Sequence, residues 1–108
     1  MTDVLDLSAL EAKAGEVAGV MKALANSRRL LILCHLAEAG TASVNALAAA
    51  VGLSQSALSQ HLGRMRDEGL VGFDRDGQTL NYRIADPRIS TLLDTLYSLY
   101  CAPSGDTI

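Results

Sequence analysis

The chain has 108 residues, 49% of them hydrophobic, so it can bury one compact core and is too short for two domains. Its formal net charge is -3, and no apolar run approaches the roughly 18 residues that a membrane-spanning helix requires. We therefore expect one soluble, cytoplasmic domain over residues 1–102, without a secretory leader, and a disordered tail over residues 103–108.

The first two predicted helices carry their apolar residues in different patterns. In the first helix, apolar side chains alternate steps of four and three, which is typical of an amphipathic helix with a narrow seam. The seam consists of Leu10, Ala14, Val17, Met21 and Leu24.

Asn26 can cap the second helix, whose residues 30–36 are apolar on almost every side, as in a central buried helix that ends at Gly40. Arg28 and Arg29 lie in its first turn, where the helix dipole disfavours cations, so either phosphate contact or solvent exposure would explain them.

A helix-turn-helix pattern follows the second helix. Ser43 can cap a short apolar helix, and Gly52 supplies the sharp turn after it. Ser54 can cap the next helix, which runs to about Glu68 and stops at Gly69. This pattern predicts that the helix after the turn reads DNA.

The predicted reading helix has an apolar and a polar face. Its inward stripe consists of Leu58, Leu62 and Met65. Its outward side chains are Gln55, Ser56, Ser59 and Gln60. Each glutamine could pair with an adenine edge, and each serine could contact a base or a phosphate. We interpret this polar face as base-reading, although an exposed polar face is also an ordinary feature of a surface helix.

Basic residues near the reading helix are candidate backbone contacts. Arg64 and Arg66 could bind phosphates, and Arg75, close to a predicted turn, could enter the minor groove. Only their placement supports these roles, because isolated arginines are ordinary surface charges. His61 is interpreted as a structural residue.

Beyond the reading helix, the pattern changes to short strands and then to a last helix. Residues 70–73 and 80–84 flank Asp76-Gly77, a dipeptide favoured in tight hairpin turns, at the position of a wing. Asp86 and Pro87 then open a helix as N-cap and first-turn proline. One face of this helix carries Ile89, Leu92, Leu93, Leu96 and Tyr100. The predicted fold is mainly α with a β-hairpin wing, a winged helix-turn-helix of four helices, the hairpin and a last helix.

The two terminal helices carry more apolar surface than one winged core needs, so we expect a homodimer. A two-fold dimer would present its reading helices to major grooves about 34 to 36 Å apart, which implies a double-stranded DNA operator with an inverted repeat. The acidic net charge counts against this, because cations neutralise phosphates in DNA binding. Many acidic residues lie in the terminal arms, however. They are Asp3, Asp6, Glu11, Glu16, Asp94 and Asp106.

The order of these elements, together with residues 54–62 and Gly69-Leu70-Val71, resembles the ArsR family of winged-helix repressors over nearly the whole chain. The resemblance implies a homodimeric bacterial transcription regulator. Many members leave DNA when a metal ion binds, but the two family metal sites cannot be assembled here. Residues 44–48 lack the Cys-x-Cys pair of one site, and no histidine follows Asp86 as the other requires. We therefore expect no metal and no cofactor.

Within that family, the chain resembles the persulfide-sensing subgroup of biofilm-growth and sulfide-oxidation repressors and HlyU-type virulence regulators. Residues 30–34, 78–82 and 96–101 carry this resemblance. The subgroup has one cysteine on the second helix and one at the end of the last, as Cys34 and Cys101 are here. It implies that reactive sulfur species, such as persulfides, join the two cysteines through a polysulfide bridge and weaken DNA binding. Which thiol attacks first is left open.

Other functions are also compatible with the chain. One is a metal-responsive or effector-independent repressor of the same family, and another is an interaction module that has lost DNA affinity. A thiol oxidoreductase is a third, but no Cys-x-x-Cys, phosphate loop or catalytic triad is apparent, so we do not expect an enzyme. Each cysteine could also be a small core residue.

Overall fold

The computed structural model describes residues 6–101, so the predicted tail lies outside the described residues. The chain forms five α-helices and three β-strands within this range. The helices are α1 (Leu7–Leu24), α2 (Ser27–Ala39), α3 (Val44–Val51), α4 (Gln55–Asp67) and α5 (Pro87–Tyr100). The strands are β1 (Ala42–Ser43), β2 (Val71–Asp76) and β3 (Thr79–Ile84). The predicted winged helix-turn-helix is confirmed.

The helix boundaries follow from caps that were visible in the sequence. The Ser43 hydroxyl accepts a hydrogen bond from the Ala46 amide at 3.2 Å, and the Ser54 hydroxyl accepts one from Ala57 at 3.1 Å. Asp86 likewise accepts from the amide of Arg88 at 3.0 Å, next to the first-turn proline. Gly52 ends α3 in the left-handed conformation, with φ of 69°, which glycine adopts without strain. These caps fix the start of α4 against the end of α3.

The sheet has one strand more than predicted. All neighbours are antiparallel in the order β1-β3-β2, and β1 pairs Ala42 with Tyr82 and Ser43 with Asn81. The wing is therefore the far part of a three-stranded sheet, and not an isolated hairpin. Asp76 pairs with Thr79, so the tight turn lies one residue later than predicted, at residues 77–78.

The core lies where α2, α3, α4 and α5 meet the sheet. Its fully buried large side chains are Ile32, Leu33, Leu36, Leu47, Leu58, Leu62, Met65 and Ile89. The predicted inward stripe of the reading helix is thus confirmed. Helix α2, by contrast, is not buried all round, because Leu31 is 47% exposed and Cys34 is also exposed. One side of α2 supports α3 and the other remains accessible.

The seam of α1 is largely uncovered within the chain. Leu10, Val17 and Met21 are exposed, and only the end of α1 is buried. On the last helix, α5, Tyr97 and Tyr100 are also exposed. Such apolar faces at both terminal helices are typical of a surface that a second chain covers. Within residues 6–101, no helix is long and apolar enough to cross a membrane.

Candidate functional site

Helix α4 presents its polar face to solvent. Gln55, Ser56, Ser59 and Gln60 are all exposed. Ser56 and Gln60 are one helical turn apart and lie opposite the buried leucine stripe, so they project furthest from the core. This is the geometry of a helix that can enter a major groove with its amide side chains ahead of its backbone.

A shallow groove of about 320 Å³ separates α4 from the wing. Gln55 and Ser59 line one side of it, on the flank of α4. The other lining residues come from β1, the start of α3 and the wing turn. They are Ser43, Val44, Asn45, Gln78, Thr79 and Leu80. The predicted reading residues thus divide between the outer face of α4 and a groove shared with the wing.

Four polar residues of this groove were not among the site residues predicted from the sequence. They are Ser43, Asn45, Gln78 and Thr79. Their side chains come from segments distant in sequence, and only the pairing of β1 with β3 brings those segments together. The sequence contained a signal for Ser43, because its role as the N-cap of α3 places it at a helix start beside the turn motif.

The arginines at the end of α4 and in the wing have different surroundings. The Arg66 guanidinium carbon lies 5.3 Å from the centroid of the Phe73 ring, a cation–π contact that joins the end of α4 to β2. Phe73 in turn packs against Tyr82, with ring centroids 5.3 Å apart. Arg75 is exposed beside the turn, while Arg83 forms an ion pair with Asp74 at 3.3 Å. Arg66 is therefore held against the sheet, whereas Arg75 is exposed at the wing turn.

The other basic residues lie on the flank of α4 away from the wing. Arg28 donates a hydrogen bond to the Val51 carbonyl at 3.2 Å, so it closes the C-terminal end of α3 and is not simply exposed. Arg64 is exposed and shares a groove with Arg29. Burial lowers the pKa of the neighbouring His61, and the charges of these arginines lower it further, so this side chain is neutral at neutral pH.

The two cysteines lie together in an apolar groove between α2 and α5. The groove has a volume of about 310 Å³, and both Cys34 and Cys101 line it as free, exposed thiols. Its remaining wall is made of Leu30, Leu93, Leu96, Tyr97 and Tyr100. Cys101 is the residue at which α5 ends, because its amide donates to the Tyr97 carbonyl at 2.8 Å. The fold therefore brings Cys34 and Cys101, which lie far apart in the sequence, to one apolar groove.

The environment of Cys34 disfavours its thiolate. Burial raises the pKa of the Cys34 thiol, and the negative charge of an ionised Cys101 raises it further. A second groove of about 410 Å³ borders the same thiol and includes Glu38 and Asp94. A thiol in such surroundings reacts slowly at neutral pH, because only the thiolate is a good nucleophile. Among the described residues, no group of three or more His, Cys, Asp or Glu side chains is arranged to hold a metal ion.

Comparison with protein families agrees with this geometry. The family model described as bacterial regulatory protein, arsR family, matches residues 26–72, which run from the cap of α2 into β2. The chain is 43% identical over 96 residues to the HTH-type transcriptional regulator YgaV of Escherichia coli (strain K12). That match covers 89% of this chain and 97% of the relative.

Solved structures show the same fold. The transcriptional repressor BigR from Xylella fastidiosa superposes with a TM-score of 0.85 at 34% identity, covering 92% of this chain and 100% of that one. A homodimeric winged helix-turn-helix DNA-binding domain from Mycobacterium bovis superposes with a TM-score of 0.73 at 37% identity. That match covers 92% of this chain and 89% of the other.

Proposed function

Because the chain belongs to the arsR family of bacterial regulatory proteins, we propose that it is a homodimeric transcriptional repressor whose DNA binding is switched by sulfur chemistry. In the reduced state it binds an inverted-repeat operator through α4 and the wing. It leaves DNA when reactive sulfur species bridge Cys34 and Cys101. The observation that carries the switch is that both thiols line one groove between α2 and α5.

DNA binding is supported by the polar face of α4 and the groove beside it. Gln55 and Gln60 are the candidate adenine contacts, with Ser56 and Ser59 as contacts to bases or phosphates. Arg64, Arg66 and Arg75 are the candidate backbone contacts, and Arg75, exposed beside the wing turn, is the candidate for the minor groove.

Dimerisation is supported by the uncovered apolar faces of the terminal helices. Met21 is 63% exposed on α1, and Leu99 and Tyr100 are 71% and 81% exposed on α5. A second copy would cover such faces and double the number of basic contacts to DNA. The M. bovis relative, described as homodimeric, agrees with this assembly.

The switch can be written as balanced sulfur chemistry. Each cysteine thiolate attacks the outer sulfur of one persulfide, RSSH, which leaves a cysteine persulfide and releases RSH. The terminal sulfur of one cysteine persulfide then attacks the inner sulfur of the other and expels hydrogen sulfide. In total, two RSSH and two thiols give a trisulfide bridge, two RSH and one H₂S. Because a trisulfide contains an additional sulfur atom, it can span a wider gap than a disulfide, which requires Cα atoms within about 7 Å.

The bridge would act on DNA binding through the helix that supports the turn motif. Helix α2 contacts both α3 and α5, so a covalent link from Cys34 to Cys101 joins the layer under the reading helix to the terminal helix. A helix shift of about 1–2 Å would change the spacing of the two reading helices in the dimer. A coupling of about 1–3 kcal/mol lowers operator affinity roughly 5- to 150-fold, which is enough for derepression.

The test is fluorescence anisotropy with DNA from the region upstream of the protein's own gene. We expect the reduced protein to bind tightly, binding to weaken after a persulfide donor, and dithiothreitol to restore it. Tight binding that the donor leaves unchanged would reject the switch and keep the repressor. A second experiment passes fragmented genomic DNA over the immobilised protein. If the protein retains no fragment, DNA binding itself is rejected.

Serine variants separate sensing from packing. Cys34→Ser and Cys101→Ser should each retain the operator affinity of the reduced protein and lose the response to the donor, because both thiols are exposed. Weaker binding by the untreated variants would show that the cysteines are needed for the fold of the dimer.

A further inference from the structure

A separate polar groove lies on the flank of α4 that faces away from the wing. It has a volume of about 460 Å³ and is lined by the end of α1, the start of α2 and the second half of α4. Three of its lining side chains are cationic, namely Lys22, Arg29 and Arg64. We call it the cationic groove. None of these three residues lines the cysteine groove or the groove beside the wing.

Within residues 6–101, the three cations of this groove have no carboxylate partner. Among residues 6–101, the ion pairs within 4.0 Å involve other cations, so no carboxylate satisfies Lys22, Arg29 or Arg64. The buried Nε of Arg29 also has no hydrogen-bond acceptor in this part of the chain. Because this Nε is buried, a ligand in the groove would meet the terminal nitrogens of the Arg29 guanidinium. Glu68 lines the same groove and opposes an anion there.

The positive charge of the cationic groove comes from side chains and not from the backbone amides at the start of α2. The Asn26 side-chain oxygen already accepts hydrogen bonds from the amides of Arg28 and Arg29, at 3.0 and 3.2 Å. Arg28 is directed towards the Val51 carbonyl and contributes no donor to the groove. The guanidinium groups and the ammonium group are therefore what an anion would meet.

His61 on α4 reports the same field. Besides burial, the charges of Arg29, Arg64 and Arg28 lower its pKa, in that order. A local excess of positive charge thus exists on a protein whose net charge is -3. Because arginine and lysine are the usual ligands of phosphate groups, the chemistry of the groove suits an oxyanion.

We propose that Lys22, Arg29 and Arg64 bind an oxyanion of the phosphate class on the flank of the reading helix. The phosphate has two possible sources. One is the operator backbone on the side of the major groove opposite the wing, which rests on the proposed function. The other is free phosphate or a phosphorylated metabolite, whose binding does not depend on DNA.

The first arm of the test uses the protein without DNA and inorganic phosphate as the probe. The chain has only two histidines, so the imidazole proton resonances of His35 and His61 are easily followed by NMR. The experiment is done at a pH near 6.5, the ordinary pKa of histidine. Bound phosphate offsets the positive charges that lower the pKa of His61, so a larger fraction of its imidazole is protonated. The His61 resonance then shifts towards that of the protonated ring. Chloride at the same ionic strength should not shift it, and His35 is the internal reference.

Four charge variants make this arm specific. Arg64→Gln and Lys22→Gln remove a ligand and should weaken phosphate binding by roughly tenfold. Glu68→Gln removes the opposing charge and should tighten it. Lys13→Gln is the matched control, because Lys13 is an exposed lysine of α1 that pairs with Glu16 outside the groove, and it should leave phosphate binding unchanged.

The second arm measures operator affinity against salt concentration. If the phosphate belongs to the operator, Lys22→Gln lowers the slope of log K against log salt by about 0.9, while Lys13→Gln does not. If the source is a free anion, the slope is unchanged and only the phosphate response of His61 is lost.

The proposal is overturned if neither readout changes in Lys22→Gln and Arg64→Gln, or if Lys13→Gln changes them equally. Because the first arm contains no DNA, failure of operator binding would leave it intact.

Discussion

Cys34 and Cys101 line one groove between α2 and α5, and ionised Cys101 adds to burial in raising the pKa of the Cys34 thiol. A negative charge on Cys101 therefore disfavours ionisation of Cys34. Ionising both thiols together is unfavourable, so a bridge forms most easily after one of them has been modified.

The raised pKa of Cys34 can be measured through its alkylation. In Cys101→Ser, the rate of reaction of Cys34 with iodoacetamide should still rise with pH to a midpoint above that of an ordinary cysteine, since burial remains. In the presence of an intact Cys101 the midpoint should lie higher still. Mass spectrometry of the Cys34 peptide gives the rate. A midpoint that is the same in folded and urea-unfolded protein would contradict this environment.

Base reading by α4 predicts a selective loss of affinity. Gln60→Ala should weaken operator binding by about 1–3 kcal/mol, or roughly 5- to 150-fold, and leave binding to unrelated DNA unchanged. Thermal stability should be unaffected, because Gln60 is exposed. Thr91→Ala, an exposed polar truncation on α5, is the control. An equal loss on operator and unrelated DNA would mean that Gln60 contacts the backbone.

The contact of Arg66 with Phe73 predicts a structural role for an arginine that the sequence suggested as a phosphate ligand. Phe73→Leu keeps an apolar side chain but removes the ring that both Arg66 and Tyr82 contact. We expect it to lower the free energy of unfolding by about 1–2.5 kcal/mol in urea denaturation. In the Phe73→Leu background, Arg66→Ala should cost less than in the native protein. Additive losses would show that the two side chains do not interact.

Arg88 predicts a dependence of stability on acid. Its hydrogen bond to Glu16 and its hydrogen bonds to Asp86 lower the pKa of both carboxyls below 4.5 and 3.8, their ordinary values. A carboxyl with a lowered pKa stabilises the fold above its unfolded-state pKa, and this is lost as pH falls through the folded-state pKa. Arg88→Gln should therefore lower the melting temperature at neutral pH, and the difference from the native protein should shrink below pH 3.8.

Arg75→Gln is the matched control for this acid dependence. Within the part of the chain that the structure describes, the Arg75 guanidinium has no carboxylate within 4.0 Å. Its replacement should change the melting temperature little, and equally at both pH values. A constant difference for Arg88→Gln across the same range would contradict the ion pairs.

The order of the helices and the limits of α3, α4 and α5 could be predicted because local chemistry determines them. Ser43, Ser54 and Asp86 cap helices by hydrogen bonds within three residues, and such signals are visible in the sequence. The short strand β1 could not be predicted. Two residues show no periodicity, and β1 exists as a strand only because Ala42 and Ser43 pair with Tyr82 and Asn81.

The candidate site was partly predictable for the same reason. The polar face of α4 follows from helical periodicity, so its four outward residues were identified. The accessible side of α2 was not, because an apolar run without periodicity does not tell which side faces solvent. Exposure of Cys34 and Leu31 depends on how α5 crosses α2, which is a tertiary property. The cationic groove likewise joins three helices and has no local signature.

The central claim is that a persulfide joins Cys34 to Cys101 within one chain. The most direct measurement is peptide mass spectrometry of reduced protein treated with a persulfide donor, combined with operator affinity of the same sample. We predict a cross-link between the Cys34 and Cys101 peptides that contains at least one additional sulfur atom, together with weakened operator binding. Persulfidation of separate cysteines without a cross-link, or bridges formed only between chains, would contradict the account.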